Sequence, residues 1–199
     1  MNKKVAATVS ALAMTTGLLA MSGAATTAQA AATSGTAGAA PRHATAPFAA
    51  QGKSLGLNSA QVKALQSRAD SYLDERGGTQ IAANKIRLAD GSTLVLALPA
   101  AKGSLGKEQN GPALASYACN YGHFCAFSGP NFTGDVIDMY QCAEYSIPWS
   151  GYGSWKNNQT PGTVANFESS DHVSRWHDRG AYSQDTNADW SWVWYLRNC

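Results

Sequence analysis

The sequence predicts a mainly β protein: a small, disulfide-bonded β sandwich in the C-terminal half, preceded by a helix-plus-β-hairpin module. Three observations carry that reading. Seventeen of the 19 aromatic residues, including all 6 Trp, lie after Gly111. So do all 4 Cys. Beyond Pro112 the chain breaks into short apolar stretches bounded by Gly, Pro, Asn or Ser, with no helical period, which is the pattern of a sandwich or barrel.

Composition narrows the classes further. The chain has 199 residues, 44% of them hydrophobic, so a packed core is within reach. Only 14% are charged, well below the usual share, which argues against a coiled coil or a charged helical bundle. The formal net charge of +2 conceals a gradient: residues 31–110 carry +4 and residues 111–199 carry −4. No basic patch is available to neutralise phosphates, so nucleic acid is not an expected partner.

Residues 1–30 read as a secretory signal. Lys3 and Lys4 supply the positive start, an uncharged apolar run extends from Val5 to Met21, and Ala28-Gln29-Ala30 is a small-x-small cleavage site. A membrane anchor is the competing reading, but Thr8, Ser10, Thr15 and Thr16 interrupt the run. The expected location is secreted and extracellular, with no membrane contact once the signal is removed.

Residues 31–54 are rich in Ala, Thr, Gly, Ser and Pro and read as a flexible linker, because they offer too little apolar surface to offset ordering entropy. Residues 55–100 form the helix-hairpin module. A helix is expected from Asn58 to Arg76, capped by Asn58 or Ser59, with Val62, Leu65, Ala69, Tyr72 and Leu73 in one stripe and Gly77-Gly78 as the stop. Gln80 to Leu88 and Thr93 to Leu98 are the expected hairpin strands, joined at Asp90-Gly91. The basic module is suited to docking on the acidic C-terminal half, or to serving as a removable pro-region. Residues 101–115 are turn-rich and read as a second linker. Residues 116–199 are the sandwich, with strands expected at Phe124–Phe127, Val136–Tyr140, Val164–Phe167, Val173–Trp176 and Trp190–Leu196.

Export makes the cysteines interpretable. Cys119, Cys125, Cys142 and Cys199 are even in number and are expected to form two disulfides in an oxidising compartment. A zinc site is the alternative, but no C-x-x-C pair is present. Of the three connectivities, Cys119–Cys142 with Cys125–Cys199 is favoured, since it would clamp the open end of a hairpin and fix the last strand to the first.

The stretch Phe127-Ser128-Gly129-Pro130-Asn131-Phe132-Thr133-Gly134 has an aromatic, four residues, an aromatic, one residue and a Gly. Phe127 and Phe132 can pack on each other, and Gly134 can adopt a backbone conformation that side chains oppose. The pattern is that of the Greek-key hairpin of βγ-crystallins. With the flanking Cys119, Cys125 and Cys142 and the run Gly153 to Thr160, the segment resembles peptidase inhibitor family I36, small exported actinobacterial proteins. The resemblance implies a βγ-crystallin-like Greek-key sandwich, and inhibition of peptidases, metalloproteinases among them. Calcium-binding relatives carry a run of two Asn/Asp, two variable residues and two hydroxyl residues. Here Asn157-Asn158-Gln159-Thr160 continues into Pro161-Gly162, a degenerate run without a side-chain oxygen at the last two places, so no metal and no cofactor is expected.

Catalytic signatures are absent from the sequence: no G-x-S-x-G, no H-E-x-x-H and no phosphate-cradling G-x-x-x-x-G-K. His172 and His177 fall on opposite faces of a strand, which argues against shared ligation. Asp171, Asp178, Asp185 and Asp189 read as turn formers. The chain is therefore read as a non-enzyme. Trp190, Trp192 and Trp194 share one face if extended, either as core or as an exposed strip for sugars. Tyr145, Pro148, Trp149, Tyr152 and Trp155 read as loop aromatics on a rigid scaffold, the candidate partner-binding loop. The expected function is inhibition of an extracellular peptidase by a monomer. Glycan or cell-wall binding, and a structural surface role, are the alternatives.

Overall fold

The computed structural model describes residues 45–99 and 117–199. The expected signal peptide, most of the first linker and the second linker lie outside them. Within the described residues the fold is mainly β, with two antiparallel sheets, two helices at the N-terminal side and two disulfides.

The last ten residues assigned to the first linker are a helix, α1, Thr45–Ser54. Its composition hid it: an Ala-rich, Gly-containing segment with one aromatic, Phe48, presents little periodicity. Gly52 faces Val62 closely enough that a Cβ would crowd that side chain, so the small residue lets α1 approach its neighbour. That neighbour, α2, spans Ser59–Arg76. Asn58 accepts from Gln61 N, the Gln61 side chain accepts from Asn58 N, and Gly77 ends the helix by donating to Leu73 O. Leu65, Ala69 and Leu73 are buried, the inward half of the expected stripe.

The expected hairpin is a three-stranded meander. What read as one long strand folds back at Ala83-Asn84 into β1 (Thr79–Ala82) and β2 (Lys85–Arg87), followed by β3 (Thr93–Val95). Asn84 donates to Leu96 O and Ala83 N donates to Gln51 Oε1, contacts that hold the extra turn and that local pattern does not announce.

Strands β4 (His123–Gly129) and β5 (Thr133–Met139) form the central hairpin, joined by the tight corner Pro130–Phe132. They are followed by β6 (Glu144–Ser146), β7 (Tyr152–Asn158), β8 (Asn166–Glu168), β9 (Ser174–His177), β10 (Gln184–Asp189) and β11 (Tyr195–Arg197). One sheet has the order β1-β2-β3-β5-β4-β7-β10 and the other β6-β11-β8-β9. The C-terminal half is thus two Greek keys, β4–β7 and β8–β11, each lending its third strand to the other's sheet. This is the βγ-crystallin-like sandwich. The meander extends the first sheet, since Thr93, Leu94 and Val95 pair with Asp138, Ile137 and Val136.

Alternation along the central strands divides the two faces of the first sheet. Leu94, Phe124, Ala126, Ile137 and Met139 join Leu65, Ala69 and Leu73 of α2 and Phe167 and Leu196 of the second sheet in one core. Val95, Cys125, Phe127 and Val136 form a smaller cluster on the opposite face. Rings dominate the main core: Phe124 stacks on Trp155 at 5.6 Å and Phe167 on Trp190 at 5.8 Å between centroids. Such pairs add about 1 kcal/mol beyond area burial. The module also docks by polar contacts: Arg68 and Tyr72 of α2 both donate to Asp135 on β5, and Arg76 donates to Ser146 on β6.

Two further expectations change. The disulfides are Cys119–Cys125 and Cys142–Cys199, not the favoured pairing. Cys119 folds back beside its own strand, and the β6 side meets the C-terminus because β6 pairs with β11. Residues Trp190 to Trp194 are irregular rather than a strand, so the strand alternation that would set their rings on one face is missing. Trp190 is fully buried, and its indole donates to Phe127 O at 2.9 Å. Gly153 makes that possible, because a Cβ there would collide with both groups.

Candidate functional site

The β6–β7 connection is built from alternation at its two ends. On β6, Tyr145 turns inward and is 1% exposed, and its hydroxyl donates to Gln141 O at 2.7 Å. On β7, Trp155 is buried among Phe124, Phe167 and Trp176. Both were candidate contact residues. The correction is physical: each occupies an inward strand position, and the Gly and Pro residues around them gave a false impression of a loop. They anchor the connection rather than contact a partner.

What lies between them is a short, held segment. Ile147 is buried and donates to Trp194 O at 2.9 Å, and Trp190 N donates to Gly151 O at 2.8 Å. The chain from Trp190 to Trp194 thus braces both ends of the loop. Gly151 takes φ +90°, a conformation natural to glycine, and turns the chain into β7. Pro148 and Trp149 are half-buried, Trp149 packing against the core, while Ser150 and Tyr152 face solvent. Tyr152 is 63% exposed. Behind the loop, Ala143 N donates to Asn198 Oδ1, next to the Cys142–Cys199 bridge. The arrangement presents a phenol and a half-covered indole on a backbone with little left to order.

The β4–β5 corner lies against β7. The rings of Phe127 and Phe132 meet edge to face at 5.6 Å, and Gly134 has φ +82°. A Cβ on Gly134 would strike Ser128 Oγ, the group that accepts from Asp135 N at 2.7 Å. Sequence reading missed Ser154, whose hydroxyl donates to Gly129 O at 2.7 Å and accepts from Phe132 N at 2.8 Å. Lys156 Nζ sits 4.0 Å from the centroid of the Phe132 ring. A hydroxyl in mid-strand carries no sequence pattern that would have marked it.

The Asn157–Thr160 run braces a loop. Asn157 is buried; its amide donates to Thr163 O at 3.0 Å and Asp178 Oδ2 at 2.6 Å, and its oxygen accepts from Gln159 N. Asn158 donates to Cys119 O at 2.9 Å, and Thr160 is exposed. Asp178, read as a turn former, is a buried hub that also accepts from Ala165 N and Gly180 N.

Two titratable clusters lie elsewhere. Asp138 accepts from the Tyr117 hydroxyl and contacts His123 Nδ1. Burial first, then Asp138, pushes the Tyr117 phenol well above its ordinary range. Glu144, Glu168 and His172 gather at the second sheet, with Arg197 bridging the carboxylates. His172 and His177 do not share a ligand site: His172 stands at the β8–β9 corner, whereas His177 Nδ1 contacts Asp178 O.

The model of peptidase inhibitor family I36 matches residues 113–180, which supports the resemblance carried by the Phe127–Gly134 motif. The match spans β4 to β9 and leaves out the N-terminal module and the last two strands. No curated protein and no solved structure matches the chain.

Proposed function

We propose that this protein is a secreted, non-catalytic inhibitor of an extracellular peptidase, and that it acts through the β6–β7 loop. The observation that carries the reading is that loop's construction: Tyr145, Ile147 and Trp155 fix its ends in the core while Ser150 and Tyr152 face outward. An inhibitory segment that enters a cleft gains affinity by having little freedom left to lose. The I36 match over residues 113–180 supports the same class, and a metalloproteinase is the target that the family resemblance suggests. Two disulfides fit an oxidising, extracellular setting, and no helix among the described residues is long and apolar enough to cross a membrane. The glycan reading keeps Tyr152 and the other loop aromatics but loses Trp190, which is core.

The test is residual activity of thermolysin-like, serine and cysteine peptidases incubated with the oxidised protein. Inhibition of a metalloproteinase is expected, weakened about tenfold by Tyr152→Ala, the loss of one good interface contact. No inhibition across the panel, with retention on chitin, cellulose or peptidoglycan, would reject the proposal in favour of glycan binding.

A further inference from the structure

A second cluster lies at the second sheet. Glu144 comes from β6, Glu168 from the end of β8 and His172 from the corner before β9. One donor atom of each lies within 4.8 Å of the other two. Arg197 occupies one side: its Nη2 donates to Glu144 Oε2 at 3.0 Å and its Nε lies 3.4 Å from Glu168 Oε1. His172 Nδ1 is 2.8 Å from Glu144 Oε1. That leaves Glu168 Oε2, which is buried and has no hydrogen-bond partner among the described residues. The whole Glu168 residue is only 4% exposed. A carboxylate oxygen so enclosed is normally paired. Two carboxylates, one guanidinium and one imidazole thus converge on that oxygen.

We propose that Glu144, Glu168 and His172 bind a divalent transition metal of the zinc class, independently of the inhibitory loop. An imidazole nitrogen with two carboxylate oxygens is a mixed set that suits zinc, whereas calcium seeks six to eight oxygens. Ligand bonds of about 2.0–2.2 Å require donors roughly 3.4 Å apart, so the cluster tightens by about 1 Å on binding. The side chains able to move are the outer ones, His172 at 53% and Glu144 at 24% exposed, around a fixed Glu168. The exposed side of His172 leaves room for water as a fourth ligand. The ion would join β6, a strand of the first Greek key, to the hairpin corner of the second. Sequence reading set His172 against His177, its neighbour along the chain. Its ligand partners come from two other strands.

The test is calorimetric titration of zinc into the full-length oxidised protein, after treatment with a chelator. One equivalent should bind in the micromolar range and raise the thermal midpoint. His172→Ala, at a half-exposed position, should weaken binding at least tenfold, as should Glu168→Gln; His177→Ala should leave it unchanged. Absence of saturable binding at millimolar zinc would overturn the proposal. So would unchanged affinity in His172→Ala, or calcium binding as tight as zinc.

Discussion

The two Greek keys turn the same corner with different chemistry. In the first, Phe127 pairs with Val136 and the chain bends through Asn131, Phe132 and Gly134, all at positive φ. In the second, Phe167 pairs with Trp176 over the same nine-residue span and the chain bends at His172, with φ +61° against +61° for Phe132. His172 therefore occupies the place of Phe132, and Ser174 that of Gly134. The first corner is an apolar latch closed on Phe127. The second is open: the His172 ring stacks on Tyr195 at 4.0 Å and reaches Glu144. Because Ser174 is not at positive φ, the second corner needs no glycine there. A fold can thus repeat its backbone while its sequence signature disappears.

The covalent links sharpen the contrast. Cys142–Cys199 spans a separation of 57 residues and closes the second sheet, whereas Cys119–Cys125 spans 6 beside the first hairpin. Chain entropy assigns about 4 kcal/mol to the longer loop and about 2 kcal/mol to the shorter. Urea denaturation of Cys142→Ser/Cys199→Ser should therefore show the larger fall in midpoint. Equal losses would mean that the second key is held by packing as firmly as the first.

The corners themselves come next in magnitude. Gly134→Ala forces a side chain into a left-handed conformation and against Ser128, at a cost of about 3 kcal/mol. Ser174→Ala, at the exposed equivalent position, should change stability by less than about 0.5 kcal/mol. Matching losses in the same denaturation experiment would erase the distinction between the two bends.

The smallest effect is alkaline. Burial, followed by Asp135 for Tyr72 and Asp138 for Tyr117, raises both phenols above the ordinary value near 10. A group whose folded value is raised contributes stability that is complete below the unfolded value and lost as pH climbs above it. The thermal midpoint should hold below about pH 10 and decline beyond it. Tyr72→Phe and Tyr117→Phe should flatten that decline. A slope unchanged in the double variant would assign it to other groups.

Sequence alone revealed whatever was local and apolar. The α2 stripe, its Asn58 cap and the Phe127-to-Gly134 corner each occupy a few consecutive residues. The rest depended on partners distant in the chain. Strand β10, Gln-Asp-Thr-Asn-Ala-Asp, pairs with β7 at the edge of the sheet among the described residues and is mostly exposed, so no alternation marks it. Cysteine pairing followed from β6 meeting β11, which chain order does not reveal. Tyr145 and Trp155 looked like loop residues for lack of any sign that short strands ran beneath them. Glu144, Glu168 and His172 become neighbours only when the keys exchange strands.

The pairing of β3 with β5 has a consequence for maturation. If processing removed residues 45–99, the backbone groups of Val136 to Asp138 that face β3 would lose their partners while those facing β4 kept theirs, and Ile137 would be stripped of cover from Leu94. Such a bared margin invites another polypeptide to add itself as a strand. A trimmed form would then tend to self-associate, and a chain merely nicked between residues 100 and 116 would keep its N-terminal piece bound without a peptide link.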